Sequence, residues 1–256
     1  MQISGRRVLV TGAAGGLGSA ITRQLANRGA VPIVSGRNVA ALEALAADVG
    51  GEVVIADLSR RSDLDQLIEV ALGCDVLVAN AGIGGDRSLP EATVEHIDDV
   101  IDVNLRAPIV LATTFAQHKV AAGEPGHIVM IGSLAGLVAT PGSRMYNATK
   151  FGLRGFALSL RQDLDDTTVG VSIVEPGFIR DAGMFADGDI ELPAVVRTKS
   201  PADVADAVIE AIETDRGEIF VSPIELRLSA TFGTIAPAIS AAVQRKLGAK
   251  QISART

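Results

Sequence analysis

Short apolar runs alternate along the chain with longer stretches that mix apolar and polar residues. The apolar runs are RRVLVTG, AVPIVSG, GEVVIADL, CDVLVANAG, GHIVMIGS, VGVSIVEPG and EIFVSP. Their Val, Ile and Leu residues are largely consecutive, which is typical of strands covered on both faces. The pattern therefore predicts an α/β fold in which a parallel sheet of seven strands lies between two layers of helices.

The mixed stretches predict the helices. We expect them from about Gly16 to Asn27, over NVAALEALAADVG, over SDLDQLIEVAL, around Val94 to Val120, from YNATK to about Leu164, and over SPADVADAVIEAIET. No linker, repeat or low-complexity stretch precedes Pro223, so we predict one doubly wound domain over residues 1–223. Residues 224–256 are predicted to be an extension that packs on this domain or at a subunit interface.

Composition and charge narrow the range of functions. The formal net charge is -7 and the basic residues are scattered, so we expect no nucleic-acid partner. The single Cys74 cannot form an internal disulfide, and the three histidines lack the spacing of metal ligands. The first strand begins too close to Met1 for a signal peptide. We expect a cytoplasmic protein without a metal ion.

A glycine-rich segment, TGAAGGLG, follows the first strand and covers Thr11 to Gly18. Between a strand and a helix, glycines let the backbone approach a pyrophosphate, and the helix N-terminus directs free N–H groups at the anion. A plain turn is the alternative interpretation, but the position favours a dinucleotide site. The expected cofactor contacts are Gly12, Gly16, Leu17 and Gly18.

Together with YNATK at Tyr146 to Lys150, this loop resembles the classical short-chain dehydrogenase/reductase family. Further motifs match in order: NAG at Asn80, Ala81 and Gly82, Asn104 in DVNL, Ser133 at the end of IVMIGS, and PG at Pro176 and Gly177. The resemblance covers about residues 5–223. It implies a Rossmann fold, a nicotinamide cofactor, a small-molecule carbonyl or alcohol substrate, and a homodimer or homotetramer.

The resemblance also implies a catalytic set of Asn104, Ser133, Tyr146 and Lys150. Tyr146 and Lys150 share a helix face, and a nearby ammonium group together with the positive ring of the oxidised nicotinamide favours the phenolate. Tyr146 is therefore expected to exchange the proton. Ser133 is expected to hold the substrate oxygen, where hydride transfer builds negative charge. By resemblance, Lys150 also binds the nicotinamide ribose, and Asn104 supports a water that leads protons to solvent.

The end of the second strand bears on the choice of cofactor. NAD enzymes commonly place an acidic residue there, whereas Gly36 occupies this position and Arg37 can accommodate a 2′-phosphate. NADP(H) is therefore the predicted cofactor, with NAD(H) as the alternative. Asp57 resembles a family residue that contacts the adenine, although it could instead cap the helix near Ser59. The remaining expected cofactor contacts are Leu58, Asn80, Ala81, Gly82, Tyr146, Lys150, Pro176, Gly177 and Ile179.

One position departs from the family pattern. In PGFIRD, Asp181 occurs where the family usually has a threonine close to the cofactor. Because a pyrophosphate would repel this carboxylate, we expect Asp181 to turn away, to pair with Arg180, or to cap a helix over AGMFAD.

Two apolar groups of residues bear on the substrate. A substrate lid is expected over residues 178–200, with Met184, Phe185, Ile190, Leu192 and Pro193. Near Ser133 and Tyr146, the chain also carries Leu134, Leu137, Val138 and Met145. These side chains predict a lipophilic ketone, aldehyde or secondary alcohol as substrate, and ordinary core packing is the alternative.

The C-terminal extension carries an apolar stripe at steps of three or four residues, interrupted by Pro237. It consists of Leu228, Phe232, Ile235, Ile239, Val243 and Leu247, and Arg245, Lys246 and Lys250 follow its last turns. The stripe could cover the substrate pocket, form a subunit interface, or lie on an anionic membrane surface. The uncharged part is shorter than the ~20 residues of a transmembrane span.

Two other functions are consistent with parts of the sequence. A non-catalytic NADP(H) sensor or scaffold could use the same fold, but it has no evident need for Ser133, Tyr146 and Lys150 together. An epimerase or dehydratase of the related extended family is less compatible with the short C-terminal half, which leaves little room for a nucleotide-sugar domain.

Overall fold

A computed structural model describes residues 1–84, 86, 88–181 and 197–246, the last three by their backbone only. Within these residues, seven parallel strands form one sheet in the order β3-β2-β1-β4-β5-β6-β7. The strands are β1 Arg7–Thr11, β2 Val31–Gly36, β3 Glu52–Ile55, β4 Val76–Ala79, β5 Gly126–Ile131, β6 Val169–Pro176 and β7 Glu218–Val221. The predicted doubly wound α/β fold is therefore confirmed.

Helices cover both faces of the sheet. They are α1 Gly16–Asn27, α2 Val39–Val49, α3 Arg61–Leu72, α4 Val94–Ile101, α5 Ala107–Ala122, α6 Arg144–Asp163, α7 Pro201–Thr214, α8 Ile224–Ile235 and α9 Pro237–Lys246. In β1, Val8 and Val10 pack with α1, α2 and α7, whereas Leu9 packs with α3, α5 and α6. Successive strand residues thus enter different cores, and each fully buried aliphatic side chain stabilises the fold by about 1.5–3 kcal/mol.

The chain order of the strands reverses between β1 and β4. At such a switch point, the connections that follow the two strands diverge and leave a crevice at their carboxyl ends. The segments that follow β1, β4, β5 and β6 carry the glycine loop, Asn80, Ser133 and Gly177, respectively. The topology therefore brings the predicted site motifs to one edge of the sheet.

The long helix predicted from Val94 to Val120 is interrupted, and that prediction is wrong in detail. Between α4 and α5, residues Asp102–Arg106 form a π-helical turn, in which the N–H of Ala107 donates to the carbonyl of Asp102, five residues earlier. Pro108 explains the change, because a proline has no N–H to donate to the carbonyl of Asn104, four residues before it. The widened turn contains Asn104.

The C-terminal extension contacts the domain through α8. The hydroxyl of Thr234 donates to the carbonyl of Leu137 at 2.8 Å, and Gly233 lies against Val138. Most of the predicted apolar stripe points away from the domain, with Leu228, Phe232, Ile235, Ile239 and Val243 all exposed. Leu247 and Lys250 lie outside the described residues, as do the side chains of Arg245 and Lys246.

The pocket cover, the subunit interface and the membrane surface all stay predictions for the stripe. None of the described helices combines the length and the apolar character that a membrane crossing requires.

Candidate active site

The glycine loop requires glycine at two of its positions. Gly12 has a φ of 63°, and a Cβ atom at this residue would lie 2.8 Å from the Cα atom of Ala81. A Cβ atom on Gly18 would overlap the carbonyl oxygen of Gly12. These contacts pack the loop after β1 tightly against the loop after β4.

Thr11 and Asn80 hold the same two loops together by hydrogen bonds. The hydroxyl oxygen of Thr11 accepts from the N–H groups of Asn80 and Ala81, both at 3.0 Å. The side-chain amide of Asn80 donates to the carbonyls of Thr11 at 3.0 Å and Gly12 at 3.1 Å. Asn80 therefore shapes the glycine loop, a positioning role that its place in the NAG motif did not reveal.

The loop ends at a helix N-terminus that is suited to an anion. Helix α1 begins at Gly16 after Gly15, which has no side chain to cap it, and the first turn contains no acidic residue. The first N–H groups of a helix have no partners within that helix, and its dipole places positive charge at the same end. The loop therefore fits the pyrophosphate of a dinucleotide.

The residues expected around the adenosine lie at the adjacent strand ends. Arg37 follows β2 and is exposed. Asp57 accepts hydrogen bonds from the N–H of Ser59 at 3.1 Å and from its hydroxyl at 2.9 Å, so it closes a turn just before α3. Helix α3 begins at Arg61 after Arg60 and has no side-chain cap, so the capping alternative for Asp57 is wrong, whereas contact with an adenine stays a prediction. Leu58 is buried.

Ser133 and Tyr146 meet in the crevice. The Ser133 side chain lies near enough to the Tyr146 phenol to act on its pKa, and the Ser133 hydroxyl accepts from the N–H of Ala135 at 3.1 Å. Ser133 follows β5 and Tyr146 lies in the first turn of α6, so two separate elements supply the two hydroxyl groups.

Lys150 lies one helical turn after Tyr146 and is 4% exposed. Its ammonium group donates to the carbonyl of Ile131 at 2.8 Å and lies 5.6 Å from the centroid of the Tyr146 ring. Burial lowers the pKa of Lys150 to about 8, against the opposing effect of Glu175. The predicted pair therefore shares one helix face and lies next to Ser133.

In the protein alone, the nearby ammonium group does not bring the pKa of Tyr146 below its ordinary value. Burial raises the pKa of Tyr146 to about 12, the neighbouring Ser133 side chain opposes this increase, and the charge of ionised Glu175 adds to it. Desolvation disfavours the charged phenolate and here outweighs the influences that favour it.

Asn104 lies beside this group, in the π-helical turn. Its side-chain oxygen accepts from the N–H of Ile83 and its side-chain nitrogen donates to the carbonyl of the same residue, both at 2.7 Å. A Cβ atom on Gly82 would lie 3.4 Å from the Asn104 Oδ1 atom and 3.9 Å from the Lys150 Nζ atom. The four predicted catalytic residues are thus brought together, while the water route at Asn104 stays a prediction.

Two positioning residues escaped sequence reasoning because their partners are backbone atoms. The carboxylate of Asp86 accepts from the N–H groups of Met145 at 2.9 Å and Tyr146 at 3.1 Å, so a distant loop caps the start of α6. The buried side chain of Asn147 donates to the carbonyls of Ala135 at 2.8 Å and Val138 at 3.0 Å. Asn147 therefore holds the loop after Ser133 against the helix of Tyr146.

The segment after β6 settles the orientation of Asp181. Pro176 ends β6, Gly177 follows it, and the buried Ile179 pairs with Lys199. Asp181 has a φ of 66°, and its carboxylate lies 3.2 Å from the Nε atom of Arg180. The expected pairing with Arg180 is therefore confirmed, whereas the expected helix over AGMFAD lies outside the described residues.

Part of the predicted apolar lining lies in the described chain. Leu134, Val138 and Met145 are partly buried near Ser133 and Tyr146, whereas Leu137 is buried in packing. Met184, Phe185, Ile190, Leu192 and Pro193 of the predicted lid lie outside the described residues. The lid and the lipophilic substrate therefore stay predictions.

Comparison with known proteins identifies the family that shares these features. The family model of the short chain dehydrogenases matches residues 6–189. Nodulation protein G of a Rhizobium species is 37% identical over 219 residues, which are 81% of this chain and 89% of that protein. The 3-oxoacyl-(acyl-carrier-protein) reductase FabG of Rickettsia bellii is 34% identical over 216 residues, with coverage of 81% and 89%.

Solved structures show the same likeness in three dimensions. A short-chain dehydrogenase from Sphingobium yanoikuyae in complex with NADPH has a TM-score of 0.79 and 27% identity, covering 92% of this chain and 95% of that one. A metagenomic short-chain oxidoreductase in complex with NADP has a TM-score of 0.71 and 33% identity, with coverage of 87% and 99%.

Proposed function

The chain belongs to the short chain dehydrogenase family, and on this premise we propose that it is an NADP(H)-dependent reductase of carbonyl compounds. The reaction exchanges a hydride between the nicotinamide and a carbonyl group or secondary alcohol of a lipophilic small molecule. The observation that carries this proposal is the close approach of the Ser133 and Tyr146 side chains, beside the buried ammonium group of Lys150.

Ser133, Tyr146 and Lys150 can each perform one part of the proposed reaction. When bound, the nicotinamide supplies the hydride. The hydroxyl groups of Ser133 and Tyr146 donate hydrogen bonds to the substrate oxygen as negative charge develops on it, and Tyr146 then gives up its proton. Lys150 provides positive charge beside the phenol, which stabilises the phenolate that remains.

The protonation of Tyr146 favours the reductive direction. A phenol with a pKa of about 12 keeps its proton at neutral pH, so Tyr146 is ready to act as a proton donor. Oxidation of an alcohol would need the phenolate, which burial disfavours. We therefore expect reduction to be the faster direction at neutral pH.

The test of the proposed reaction is NADPH oxidation with a panel of lipophilic ketones, aldehydes, quinones and a 3-oxoacyl thioester. The thioester is included because a relative is named as a 3-oxoacyl reductase. Tyr146→Phe should bind NADPH as the wild type does, yet lose activity by at least about 10²-fold, the usual contribution of a positioned acid. Cofactor binding is measured by the change in NADPH fluorescence.

The outcomes separate the competing functions. Turnover by the wild type and its loss in Tyr146→Phe would support the reductase. Cofactor binding without turnover of any panel member would instead favour the sensor. Undiminished turnover by Tyr146→Phe would contradict the assignment of the proton donor.

Arg37 is proposed to select NADP(H). It follows Gly36, which leaves no carboxylate to repel a 2′-phosphate, and relatives are named as complexes with NADPH and NADP. Arg37→Ala should lower the preference for NADPH over NADH by about 10- to 100-fold, since a charged hydrogen bond contributes about 1.5–3 kcal/mol. The matched control is Arg216→Ala, which removes a surface arginine paired with Glu210 at 2.7 Å. An unchanged preference in Arg37→Ala would argue against this role.

A cytoplasmic location, a homo-oligomer and the division of the chain at residue 223 stay predictions from the sequence.

A further inference from the structure

A fully buried carboxyl group lies behind the candidate active site. Glu175 belongs to β6, immediately before Pro176, and is 0% exposed. Burial of a carboxylate is costly unless it is paired and hydrogen-bonded, and none of the steps above uses this group. Its position therefore calls for a physical explanation.

The contacts of Glu175 lead to Ser133. The Oε2 atom of Glu175 accepts a hydrogen bond from the backbone N–H of Ser133. A Cβ atom on Gly132 would overlap the carboxyl group, so Glu175 lies directly against the backbone that precedes Ser133. This hydrogen bond restrains the end of β5, where the Ser133 hydroxyl projects toward Tyr146.

The remaining oxygen faces charged groups. The Oε1 atom of Glu175 lies 3.9 Å from the Nε atom of Arg154 and accepts no hydrogen bond from the described residues. Arg154 itself binds Glu218 at 2.6 Å. The charged groups around Glu175 are therefore Lys150 and Arg154 from α6 and Glu218 from β7.

Glu175 is also coupled to the proposed catalytic pair. Burial raises the pKa of Glu175 to about 8, the hydrogen bond from Ser133 lowers it, and the charge of Lys150 lowers it further. In return, the charge of Glu175 raises the pKa of Lys150 and the pKa of Tyr146. Removal of this charge should therefore lower the pKa of both Lys150 and Tyr146.

We propose that Glu175 is a positioning residue of the reaction, which holds the backbone of Ser133 through a hydrogen bond and, in its ionised form, favours the protonated form of Lys150. This inference rests on the proposed reductase function. Glu175→Gln separates charge from shape, because glutamine can still accept the hydrogen bond from Ser133 but carries no charge. A merely structural role would be served equally well by glutamine.

The first test needs no substrate. The ¹³Cε signal of Lys150, assigned by its loss in Lys150→Met, is titrated by NMR in the cofactor-free wild type, in Glu175→Gln and in the control Glu52→Gln. Glu52 pairs with Arg7 at the opposite end of the sheet. In Glu175→Gln the pKa of Lys150 should fall by about 1 unit, the lower end of the effect of a nearby opposite charge. An unchanged pKa would overturn the proposal.

The second test concerns the reaction. In the wild type, kcat/KM for carbonyl reduction should decrease as the pH rises. This decrease should begin at a lower pH in Glu175→Gln and at an unchanged pH in Glu52→Gln. A decrease that begins at the wild-type pH in Glu175→Gln would overturn the part of the proposal that concerns the reaction. Absence of wild-type activity would count against the reductase function itself, and the Lys150 titration would still decide the electrostatic role of Glu175.

A third measurement covers the case in which Glu175→Gln does not fold. In the wild type, the amide signal of Ser133 and the ¹³Cδ signal of Glu175 should titrate with the same midpoint, because one hydrogen bond joins them. Independent midpoints would overturn the proposal.

Discussion

A serine next to a titratable side chain occurs at both edges of the sheet. At the carboxyl edge, Ser133 lies beside Tyr146. Toward the amino edge, the Ser172 hydroxyl lies 2.9 Å from the Nε2 atom of His127, whose Nδ1 atom lies 3.9 Å from the carboxylate of Asp215. By residue type alone, the second group is the more familiar catalytic constellation, that of a serine hydrolase.

Burial and geometry explain why the amino-edge group is unsuited to catalysis. Ser172 lies within a strand and is 0% exposed, so no substrate can reach its hydroxyl. Burial lowers the pKa of His127 to about 4, which makes this histidine a weak base. The separation between His127 and Asp215 is too long for a hydrogen bond. A cavity of about 450 Å³ borders His127 and Asp215, but Ser172 does not line it.

The difference shows that position on the sheet decides which serine a substrate can reach. Ser133 follows the end of β5, where the chain leaves the sheet and can turn. The first N–H groups of α1 lie at the same edge of the sheet, where they can bind an anion. Ser172 is covered on both faces by helices, as residues within a central parallel strand usually are.

The largest expected effect contrasts the two serines. Ser133→Ala should lower kcat for carbonyl reduction by about 10²–10³-fold, the usual effect of removing a hydrogen-bond donor to a developing oxyanion. Ser172→Ala should leave kcat within about twofold and destabilise the fold by about 1–3 kcal/mol, because His127 loses a buried partner. Kinetics and urea unfolding measure both effects. Equal losses of activity in the two variants would invalidate the contrast.

The next effect concerns the pH dependence of stability at the amino edge. The folded pKa of His127, about 4, lies below its ordinary value of 6.5, so its contribution to stability is complete above pH 6.5 and is lost as the pH falls toward 4. Lowering the pH from 7.5 to 5 should therefore reduce the free energy of unfolding of the wild type by about 2 kcal/mol through His127.

His127→Gln removes the titrating group while retaining an acceptor for Ser172. Urea unfolding at the two pH values should therefore show a smaller loss of stability in the variant than in the wild type. Equal losses would mean that His127 does not titrate as its burial indicates. Activity at neutral pH should be unaffected by this substitution.

The smallest effect concerns the cap on α6 at the carboxyl edge. Asp86→Ala should reduce the free energy of unfolding by about 1 kcal/mol, since it removes a carboxylate that caps a helix N-terminus. It should also lower kcat a few-fold, because Tyr146 lies in the turn that loses its cap. Asp48→Ala, which removes an exposed partner of Arg23, is the control. A result no different from this control would show that the cap is dispensable.

The sequence alone was sufficient for the architecture and for the motif residues. Consecutive apolar residues predicted the strands because a parallel sheet needs both faces buried, and the spacing of Tyr146 and Lys150 predicted a shared helix face. Pro108 was visible as well, although its effect on the helix around Asn104 was missed. Such features are local, so the order of residues along the chain reveals them.

Only the tertiary structure revealed the roles of Glu175, Asp86 and Asn147. Each binds backbone atoms of another segment of the chain, and every residue offers the same backbone groups, so no sequence pattern marks the partner. The pKa of Tyr146 was likewise decided by tertiary structure, because desolvation depends on everything packed around the phenol. The motif residues could thus be identified from their local sequence. Their protonation and placement depend on contacts that form only in the folded chain.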